Sequence, residues 1–234
     1  MTIGLLGASG RMGIAIKALT DTIDLKDLGD APDDLRVVID FSSPEGTKAA
    51  SMWCTEHQVP LVTGTTGLDD AEMALIRQAS TQVAVVQSGN MSLGITLLKR
   101  LVREAAAALP GFDIEILETH HKHKKDSPSG TALLLGEAAA HARGTALSEA
   151  ARFARHGRDD ARKADEIGFA VRRGGGIFGE HDVSFMSEGE TISLSHQALS
   201  REAFAHGAVT AARWVRGKPA GLYGMDDVLD LPST

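Results

Sequence analysis

Apolar and polar stretches alternate regularly along the chain up to about residue 90. Short apolar runs that end near glycine or small polar residues predict buried strands, and the segments between them carry apolar residues at helical spacing. Strands that alternate with helices predict a parallel sheet covered on both faces. The predicted strands are 2–7, 35–41, 59–64 and 83–89, and the predicted helices are 11–19, 44–57 and 69–80.

The pattern changes near residue 92, where a longer helix is predicted. Later apolar runs separated by glycine turns predict consecutive strands of an antiparallel sheet. Within them, RRGGGIFGEH at 172–181 is either a glycine-rich hairpin or an extended loop at a subunit interface. The remaining predicted elements are helix 92–109, strand 112–120, helix 129–142, an irregular charged segment 144–166 and a final helix 201–217.

This change predicts two domains. The first comprises residues 1–92 and 202–234, because the final helix is expected to return to the first sheet, and the second comprises residues 93–201. Arg201 and Phe204, which open the final helix, are either a plain helix start or part of a hinge.

Composition narrows the class of protein. A net charge of −7 argues against a nucleic-acid or membrane surface, and 4% aromatic residues argue against a base-stacking platform. The single cysteine, Cys54, excludes an intramolecular disulfide and is typical of a reducing compartment. The first residues lack the features of a leader, and no apolar run is long enough to span a membrane. We therefore expect a soluble cytoplasmic protein.

A glycine-rich turn joins the first predicted strand to the first predicted helix. GASGRMG places Gly7, Gly10 and Gly13 in a G-x-x-G-x-x-G frame, with Ser9 where the commoner frame has its middle glycine. Backbone N–H groups in such a turn can approach a pyrophosphate, and the helix end favours its charge. The turn therefore predicts a dinucleotide site, although tight strand–helix packing alone would also need these glycines.

Three other segments bear on nucleotide binding. TGTTG at 63–67 and SGNMS at 88–92 follow predicted strands, where they either line the nicotinamide crevice or form ordinary turns. The segment 20–34 is too polar for a buried strand, although a second strand ending in a ribose-binding acid is usual there. On spacing alone the ribose could be bound by Asp40, Asp30, Asp33 or Asp34.

Positive charge is concentrated in the segment ETHHKHKKDSPSGTA. In a chain of net negative charge, such a cluster indicates a local anionic partner. A metal site is the first alternative, but adjacent histidines on an extended segment face opposite ways and lysines repel a cation. A solvated basic loop is the second. The basic residues are His120, His121, Lys122, His123, Lys124 and Lys125.

The end of this segment resembles the start of a helix. If Ser127 is the N-cap, Pro128 occupies the first helical position and the N–H groups of Gly130 and Thr131 point out of the helix end. With the hydroxyls of Ser129 and Thr131, these N–H groups predict a site for a small carboxylate.

These residues resemble the signature of the 4-hydroxy-tetrahydrodipicolinate reductase (dihydrodipicolinate reductase) family of lysine and diaminopimelate biosynthesis. GASGRMG, IDFSSPEGT, TGTTGL, GEHDVSF and GLYGMDDVLDL are also similar, so the resemblance covers nearly the whole chain. It implies an α/β fold with a Rossmann-type parallel-sheet domain and a second α+β domain whose mixed or antiparallel sheet forms a homotetramer. It also implies an oxidoreductase that uses NADH and/or NADPH to reduce a small dicarboxylate with loss of water.

The resemblance also implies roles for individual residues. His120 matches the catalytic histidine that handles a proton beside the hydride-accepting carbon, and Lys124 matches the other proton donor. No residue matches a metal ligand. The matches to substrate contacts are His121, Gly130 and Thr131, beside the Ser129 hydroxyl, and the matches to dinucleotide contacts are Gly7, Ala8, Ser9, Gly10, Arg11, Met12, Gly64, Thr65, Thr66, Ser88, Gly89, Asn90 and Met91.

One departure from the family leaves other functions open. Residues 20–35 are shorter than the family pattern, and the missing part carries the ribose-binding acid and a neighbouring arginine. Arg11 could partly replace them if a 2′-phosphate is bound, so the choice between NADH and NADPH stays open. A non-catalytic dinucleotide-sensing module and a dehydrogenase of another small carboxylate are the alternatives, although Cys54 lies far from any site motif, which argues against thioester chemistry.

Overall fold

The computed structural model describes residues 2–26, 28–158 and 160–231, and it divides into two compact units. The first contains the residues up to Leu93 and those from Arg201 onward, and the second is Gly94–Ser200. In chain order the elements are β1 (Ile3–Leu6), α1 (Arg11–Lys17), β2 (Ile23–Leu25), a 3-10 turn (Leu28–Asp30), β3 (Val37–Asp40), α2 (Pro44–His57), β4 (Leu61–Thr63), α3 (Asp70–Ser80), β5 (Ala84–Gln87), α4 (Leu93–Ala108), β6 (Asp113–His120), α5 (Gly130–Ala142), α6 (Leu147–Ala150), β7 (Ala151–Arg152), β8 (Ile167–Arg173), β9 (Gly179–Met186), β10 (Thr191–Ala198), α7 (Glu202–Trp214), β11 (Gly221–Tyr223) and α8 (Met225–Val228).

The first unit contains a six-stranded parallel sheet in the order β11-β5-β4-β3-β1-β2. Alternate residues of its central strands pack on opposite faces: Val37 and Ile39 lie in a cluster with side chains of α1 and α7, whereas Val38 packs with side chains of α2 and α3. Burial on both faces explains why these strands are continuous apolar runs. The predicted two-faced parallel sheet is confirmed.

The polar segment 20–34 contains no buried strand, as expected, but it does contain a short, mostly exposed strand that the sequence did not predict. β2 pairs in parallel with β1 at the edge of the sheet, and of its three residues only Leu25 is buried. An edge position needs little apolar surface, which is why the sequence pattern did not indicate a strand. The chain then continues into the 3-10 turn Leu28–Asp30 instead of a full helix.

The second unit contains a mixed five-stranded sheet in the order β10-β9-β6-β8-β7. β6 lies in the middle, parallel to β8 and antiparallel to β9. α4 and α5 supply Leu98, Val102 and Leu135 to a core with Ile116 and Phe185 on one face of this sheet. The opposite face bears the exposed side chains of β10, which are Thr191, Ser193, Ser195 and Gln197.

The expectation that the three late strands follow one another in an antiparallel sheet holds only for β9 and β10. β8 and β9 are not a hairpin, because β6 lies between them. The glycine-rich connection instead hydrogen-bonds to the end of β6: the His121 N–H donates to the Ile177 carbonyl at 2.8 Å and the Gly174 N–H to the His120 carbonyl at 3.0 Å. Glycine turns indicate a change of direction and do not specify which strand becomes the neighbour.

None of the helices in the described part of the chain has the length and apolar character needed to cross a membrane.

Candidate functional site

The basic segment begins where β6 ends, at the centre of the mixed sheet. Glu118 and His120 are two residues apart on this strand, so their side chains point to the same face. Both are buried, with 1% of Glu118 and 8% of His120 exposed. The strand register places Arg173 of β8 beside His120 and His181 of β9 beside Glu118.

The Glu118 carboxylate is at the centre of a hydrogen-bond network. Its Oε2 lies 2.6 Å from His120 Nδ1 and accepts from Arg173 Nη1 at 2.7 Å. Its Oε1 accepts from Arg173 Nη2 at 2.8 Å and from the backbone N–H of Ser129 at 2.8 Å. Arg173 therefore binds the carboxylate in a bidentate manner, the strongest geometry for this pair.

These contacts determine the charge states of the network. Burial alone would raise the pKa of Glu118, but the hydrogen bonds from Arg173, His120 and the Ser129 N–H outweigh it and leave the pKa below its ordinary value. Burial lowers the pKa of His120, against the raising effect of Glu118 and with help from the charges of Lys124 and Arg173. The network therefore pairs an ionised carboxylate with an imidazole that is neutral near pH 7.

His181 extends the network on β9. Its ring packs edge-on to that of His120 with centroids 5.2 Å apart, and its Nε2 lies 3.2 Å from Ser129 Oγ. Burial, with a smaller contribution from the nearby charge of His120, lowers the pKa of His181 to about 3. The His181 ring is therefore neutral over the physiological pH range.

The predicted helix 129–142 is confirmed within one residue, whereas the N-cap considered at Ser127 is two residues too early. α5 begins at Gly130, and its N-cap is Ser129, whose hydroxyl accepts from the Ala132 N–H at 3.2 Å. The hydrogen bond from Ser129 N–H to Glu118 is tertiary, so the local pattern around Ser127 and Pro128 could not indicate it. Gly130 now occupies the first position, and its exposed N–H has no preceding turn to bond.

The remaining basic side chains differ in surroundings. Lys124 Nζ forms an ion pair with Asp126 Oδ2 at 2.8 Å, and the Lys124 N–H donates to the His121 carbonyl at 3.1 Å. Burial would raise the pKa of Asp126, but the hydrogen bond from Lys124 lowers it below the ordinary value. The His121 ring lies 6.2 Å from that of His123. Within the described ranges no three histidine, cysteine or acidic residues are grouped so as to hold a metal ion.

The glycine-rich turn lies in the first unit, after β1. Gly7 has a φ of 78°, and a Cβ there would overlap the Phe41 carbonyl, while a Cβ on Gly13 would overlap the backbone of Gly7 and Ala8. Packing thus explains why positions 7 and 13 require glycine. It does not explain the small residues Ser9 and Gly10, because both are exposed. The Gly10 N–H donates to the Gly7 carbonyl at 2.9 Å.

Arg11 lies beside this turn and close to Arg201. Arg11 is exposed in the first turn of α1, and Met12 packs partly against the core. Arg201 is the residue before α7, and burial lowers the pKa of its guanidinium. The positive charge of Arg11 lowers this pKa further, so the two side chains interact electrostatically. Two guanidinium groups whose charges act on each other favour the binding of an anion near them.

Asp40 is a structural residue, so it is not available as the ribose-binding acid. It is fully buried, and its Oδ2 accepts from the hydroxyls of Thr63 at 2.9 Å and Thr65 at 3.1 Å. Oδ2 also accepts from Thr47, and Oδ1 accepts from Ser42. This carboxylate therefore fixes the shape of the loop after β4, including the Gly64–Thr66 segment. Thr66 itself is exposed.

The other ribose candidates lie in the 3-10 turn or directly after it. Asp33 and Asp34 are both exposed, and Asp34 accepts from the Thr2 hydroxyl at 2.9 Å. Asp30 ends the turn Leu28–Asp30, and its side chain lies outside the described part of the chain.

The segment after β5 divides into a polar turn and a core residue. Ser88 Oγ donates to the Asn90 carbonyl at 2.7 Å, and Gly89 is exposed, with no other atom within 4 Å of the position that a Cβ would take. The Met91 side chain is only 2% exposed and belongs to the core, where its carbonyl lies directly over Gly207. The Met91 side chain is therefore not available to a ligand.

Sequence reasoning gave no role to Glu118, Arg173 and His181. The spacing of Glu118 and His120 on a predicted strand was a usable signal, because alternate residues share a face. Arg173 and His181 belong to strands distant in the sequence, and only the order of the sheet brings them to His120.

Comparisons with known proteins identify what the chain is similar to. A family model described as dihydrodipicolinate reductase, N-terminus, matches residues 19–91, and one described as dihydrodipicolinate reductase, C-terminus, matches residues 94–229. The 4-hydroxy-tetrahydrodipicolinate reductase of Caulobacter vibrioides is 47% identical over 97% of this chain and 96% of the relative. That of Ruegeria sp. (strain TM1040) is 47% identical over 98% of this chain and 82% of the relative.

A solved structure has the same fold. It is a dipicolinate-bound dihydrodipicolinate reductase from Paenisporosarcina sp. TG-14, with a TM-score of 0.77 at 22% identity, over 97% of this chain and 98% of that one.

Proposed function

Because this chain belongs to the dihydrodipicolinate reductase family, we propose that it reduces 4-hydroxy-tetrahydrodipicolinate to tetrahydrodipicolinate with loss of water, using NADH or NADPH, in lysine and diaminopimelate biosynthesis. The structural observation that carries this proposal is the buried imidazole of His120, bound through Nδ1 to Glu118 and followed by a cationic segment and a helix N-terminus. General acid–base chemistry on an anionic substrate needs these two features side by side.

The first unit is the proposed dinucleotide-binding domain. The exposed backbone of Ser9 and Gly10 can be reached by a pyrophosphate, because Gly10 has no side chain. A Cβ at this position would lie 3.2 Å from the Gly7 carbonyl and would leave less room for the phosphate. Arg11 adds positive charge beside this turn, and the loops at Gly64–Thr66 and Ser88–Asn90 complete the proposed contacts. A reduced nicotinamide, when bound, supplies the hydride for the reaction.

The second unit is the proposed substrate-binding and oligomerisation domain. The backbone N–H of Gly130, the Thr131 hydroxyl and the His121 ring would bind the substrate carboxylates at the start of α5. Lys124 would place positive charge beside the ring as electron density develops there. Asp126 Oδ2 lies 2.8 Å from the Lys124 ammonium and so fixes its direction.

His120 would transfer the proton that completes the reduction. Loss of the 4-hydroxyl as water gives a conjugated imine that accepts hydride at C4, and the resulting enamine takes a proton at C3. With Nδ1 bound to Glu118, the proton is exchanged at His120 Nε2. Burial lowers the pKa of His120 below its ordinary value, so the imidazole is neutral near pH 7 and Nε2 can take up and release a proton.

A direct assay distinguishes the proposed reductase from its alternatives. The protein is mixed with NADH or NADPH and freshly generated 4-hydroxy-tetrahydrodipicolinate, and the absorbance of the reduced nicotinamide is followed. Oxidation that depends on this substrate supports the proposal. Dinucleotide binding without oxidation would instead support a sensing module, and oxidation only with other small carboxylates would support a different dehydrogenase.

We further propose a cytoplasmic homotetramer. Four exposed hydroxyl or amide side chains on β10 lie on the face of the mixed sheet opposite α4 and α5, and this exposed polar face supports an interface between copies of the chain. The single cysteine, buried at Cys54, and the biosynthetic role of the family support a reducing compartment.

A further inference from the structure

We propose that Glu118, paired with Arg173, is the positioning residue for His120, and that its carboxylate fixes both the tautomer of the imidazole and the start of the anion-binding helix α5. The catalytic part of this inference rests on the proposed function; the effect on the imidazole does not.

The geometry selects one tautomer. A carboxylate oxygen accepts hydrogen bonds and an ionised one cannot donate, so His120 Nδ1, 2.6 Å from Glu118 Oε2, must carry its proton. Nε2 is then the nitrogen that gains and loses the catalytic proton. It faces Gly179, where a Cβ would lie 3.0 Å away, so the absence of a side chain at Gly179 leaves room beside Nε2.

Arg173 balances the charge of Glu118. A carboxylate that is 1% exposed would be costly without a cation, and alone it would raise the pKa of His120 strongly. The bidentate contact at 2.7 and 2.8 Å neutralises much of that field while leaving the hydrogen bond to Nδ1 in place. The pair thus orients the ring without holding it in the protonated form.

The same carboxylate connects the imidazole to the substrate site. Glu118 Oε1 accepts from the Ser129 N–H at 2.8 Å, and Ser129 is the N-cap of α5. Arg173 Nη2 also donates to the Asp126 carbonyl at 2.7 Å, so both members of the pair bind the segment that leads to the helix. Removal of either member should therefore displace the proton-transfer ring and the carboxylate-binding helix end together.

The groups that act on His120 come from every neighbouring strand and from the loop. Glu118 lies on β6, Arg173 on β8 and His181 on β9, and Lys124 follows β6. His196 on β10 and Asp126 act on the members of this network. Of these, Glu118 raises the pKa of His120, whereas Lys124 and Arg173 lower it.

This charge balance predicts opposite effects for two substitutions. Glu118→Gln removes the anion and leaves Arg173, so the pKa of His120 should fall. Arg173→Gln leaves the anion alone, so the pKa should rise. A purely structural role would not give shifts of opposite sign.

The test is titration of His120 by NMR in the full-length protein with labelled histidine, with the resonance assigned by a His120→Gln variant. Wild type should show the Nδ1–H tautomer, and Glu118→Gln should lose this preference and titrate at lower pH. Glu115→Gln is the matched control, because Glu115 lies on the same strand, is bound by Arg155 at 2.9 Å and points to the other face. It should leave the His120 titration unchanged.

Turnover gives the second readout. Glu118→Gln should lower kcat on the order of 10²-fold, as expected for a misoriented general acid, and should shift the pH profile with the NMR titration. Equal titrations of His120 in wild type, Glu118→Gln and Arg173→Gln would overturn the inference. If wild type does not turn over the substrate, the proposed function fails while the titration still tests the role of Glu118. If Glu118→Gln does not fold, Arg173→Gln and Glu118→Asp carry the same test.

Discussion

At the scale of single residues, the site depends on a buried carboxylate that has partners. Glu118 pairs with the half-buried guanidinium of Arg173 and with the neutral imidazole of His120, on neighbouring positions of the mixed sheet. Charged groups of this kind are costly unless each has a partner, so their presence in the core of the second unit indicates a use beyond stability.

His120→Ala and Lys124→Ala should each lower kcat by about 10²-fold or more, because each removes a group proposed to handle a proton or developing charge. Steady-state kinetics with the dicarboxylate substrate measure this effect. Lys122→Ala is a suitable control, since Lys122 is exposed in the same segment and has no proposed role. Near-normal turnover in both variants would remove the proposed catalytic roles.

His181 should make the protein less stable in mild acid. Its pKa in the folded state is about 3, below the ordinary 6.5, so between these values the unfolded chain binds a proton that the folded chain does not. The free energy of unfolding should therefore decrease as the pH falls through this window, by up to about 1.4 kcal/mol per pH unit from this one group.

Urea unfolding at a series of pH values between neutrality and pH 4 measures this slope. His181→Asn keeps a polar side chain beside Ser129 and cannot titrate, so its slope should be smaller than that of wild type. An unchanged slope would show that other groups cause the acid sensitivity.

At the scale of elements, helices α5 and α2 are both capped by a serine hydroxyl, but only α5 begins at the proposed substrate site. Ser129 caps α5 at the proposed substrate site, and Ser43 caps α2 in the first unit, each through its hydroxyl. The two positions therefore separate the stabilising effect of a cap from an effect on the site.

Ser129→Ala and Ser43→Ala should each cost about 1 kcal/mol of unfolding free energy through the lost cap. Only Ser129→Ala should also raise the KM for the dicarboxylate, because the first turn of α5 is proposed to bind it. Chemical denaturation and kinetics on the same samples give both quantities. Equal KM values in the two variants would contradict the assignment of α5.

The edge strand β2 is short, and Lys26 follows it where a ribose-binding acid is usual. We therefore propose that the choice between NADH and NADPH depends on the glycine turn, where the charge of Arg11 acts on Arg201. Arg11→Ala should therefore weaken the binding of NADPH more than the binding of NADH, since the 2′-phosphate of NADPH would lose a charged partner.

Dissociation constants for both dinucleotides, measured by titration at one salt concentration, test this prediction. Arg77→Ala, at an exposed position in α3, controls for the change in net charge. An equal loss for both dinucleotides would assign Arg11 to the pyrophosphate, which the two cofactors share.

At the scale of the whole molecule, oligomer formation through the mixed sheet is the proposal open to test. Light scattering coupled to size exclusion should give the mass of four chains. Ser193→Lys combined with Ser195→Lys should reduce that mass, because it would place like charges across a shared face. Met52→Lys, at an exposed position in α2, should leave the mass unchanged. A monomeric wild type would remove the proposed interface.

The sequence by itself determined the elements and the family. Continuous apolar runs specify strands buried on both faces, so the parallel sheet and its helices were predicted within a few residues, as for the helix at 44–57. The α/β fold class is confirmed, and so is the resemblance to the reductase family, because a specific segment and several shorter ones were compared over nearly the whole chain. The assigned site residues remain predictions.

Only the tertiary structure decided which distant residues meet. The strand β2 was missed because an edge strand needs little apolar surface, and the hairpin at 172–181 was wrong because β6 inserts between β8 and β9. The N-cap of α5 is Ser129 and not Ser127, and the Ser129 N–H donates to Glu118, eleven residues earlier in the chain. Hydrogen bonds between residues far apart in sequence have no local period, so the chain order alone could not place Arg173 and His181 beside His120.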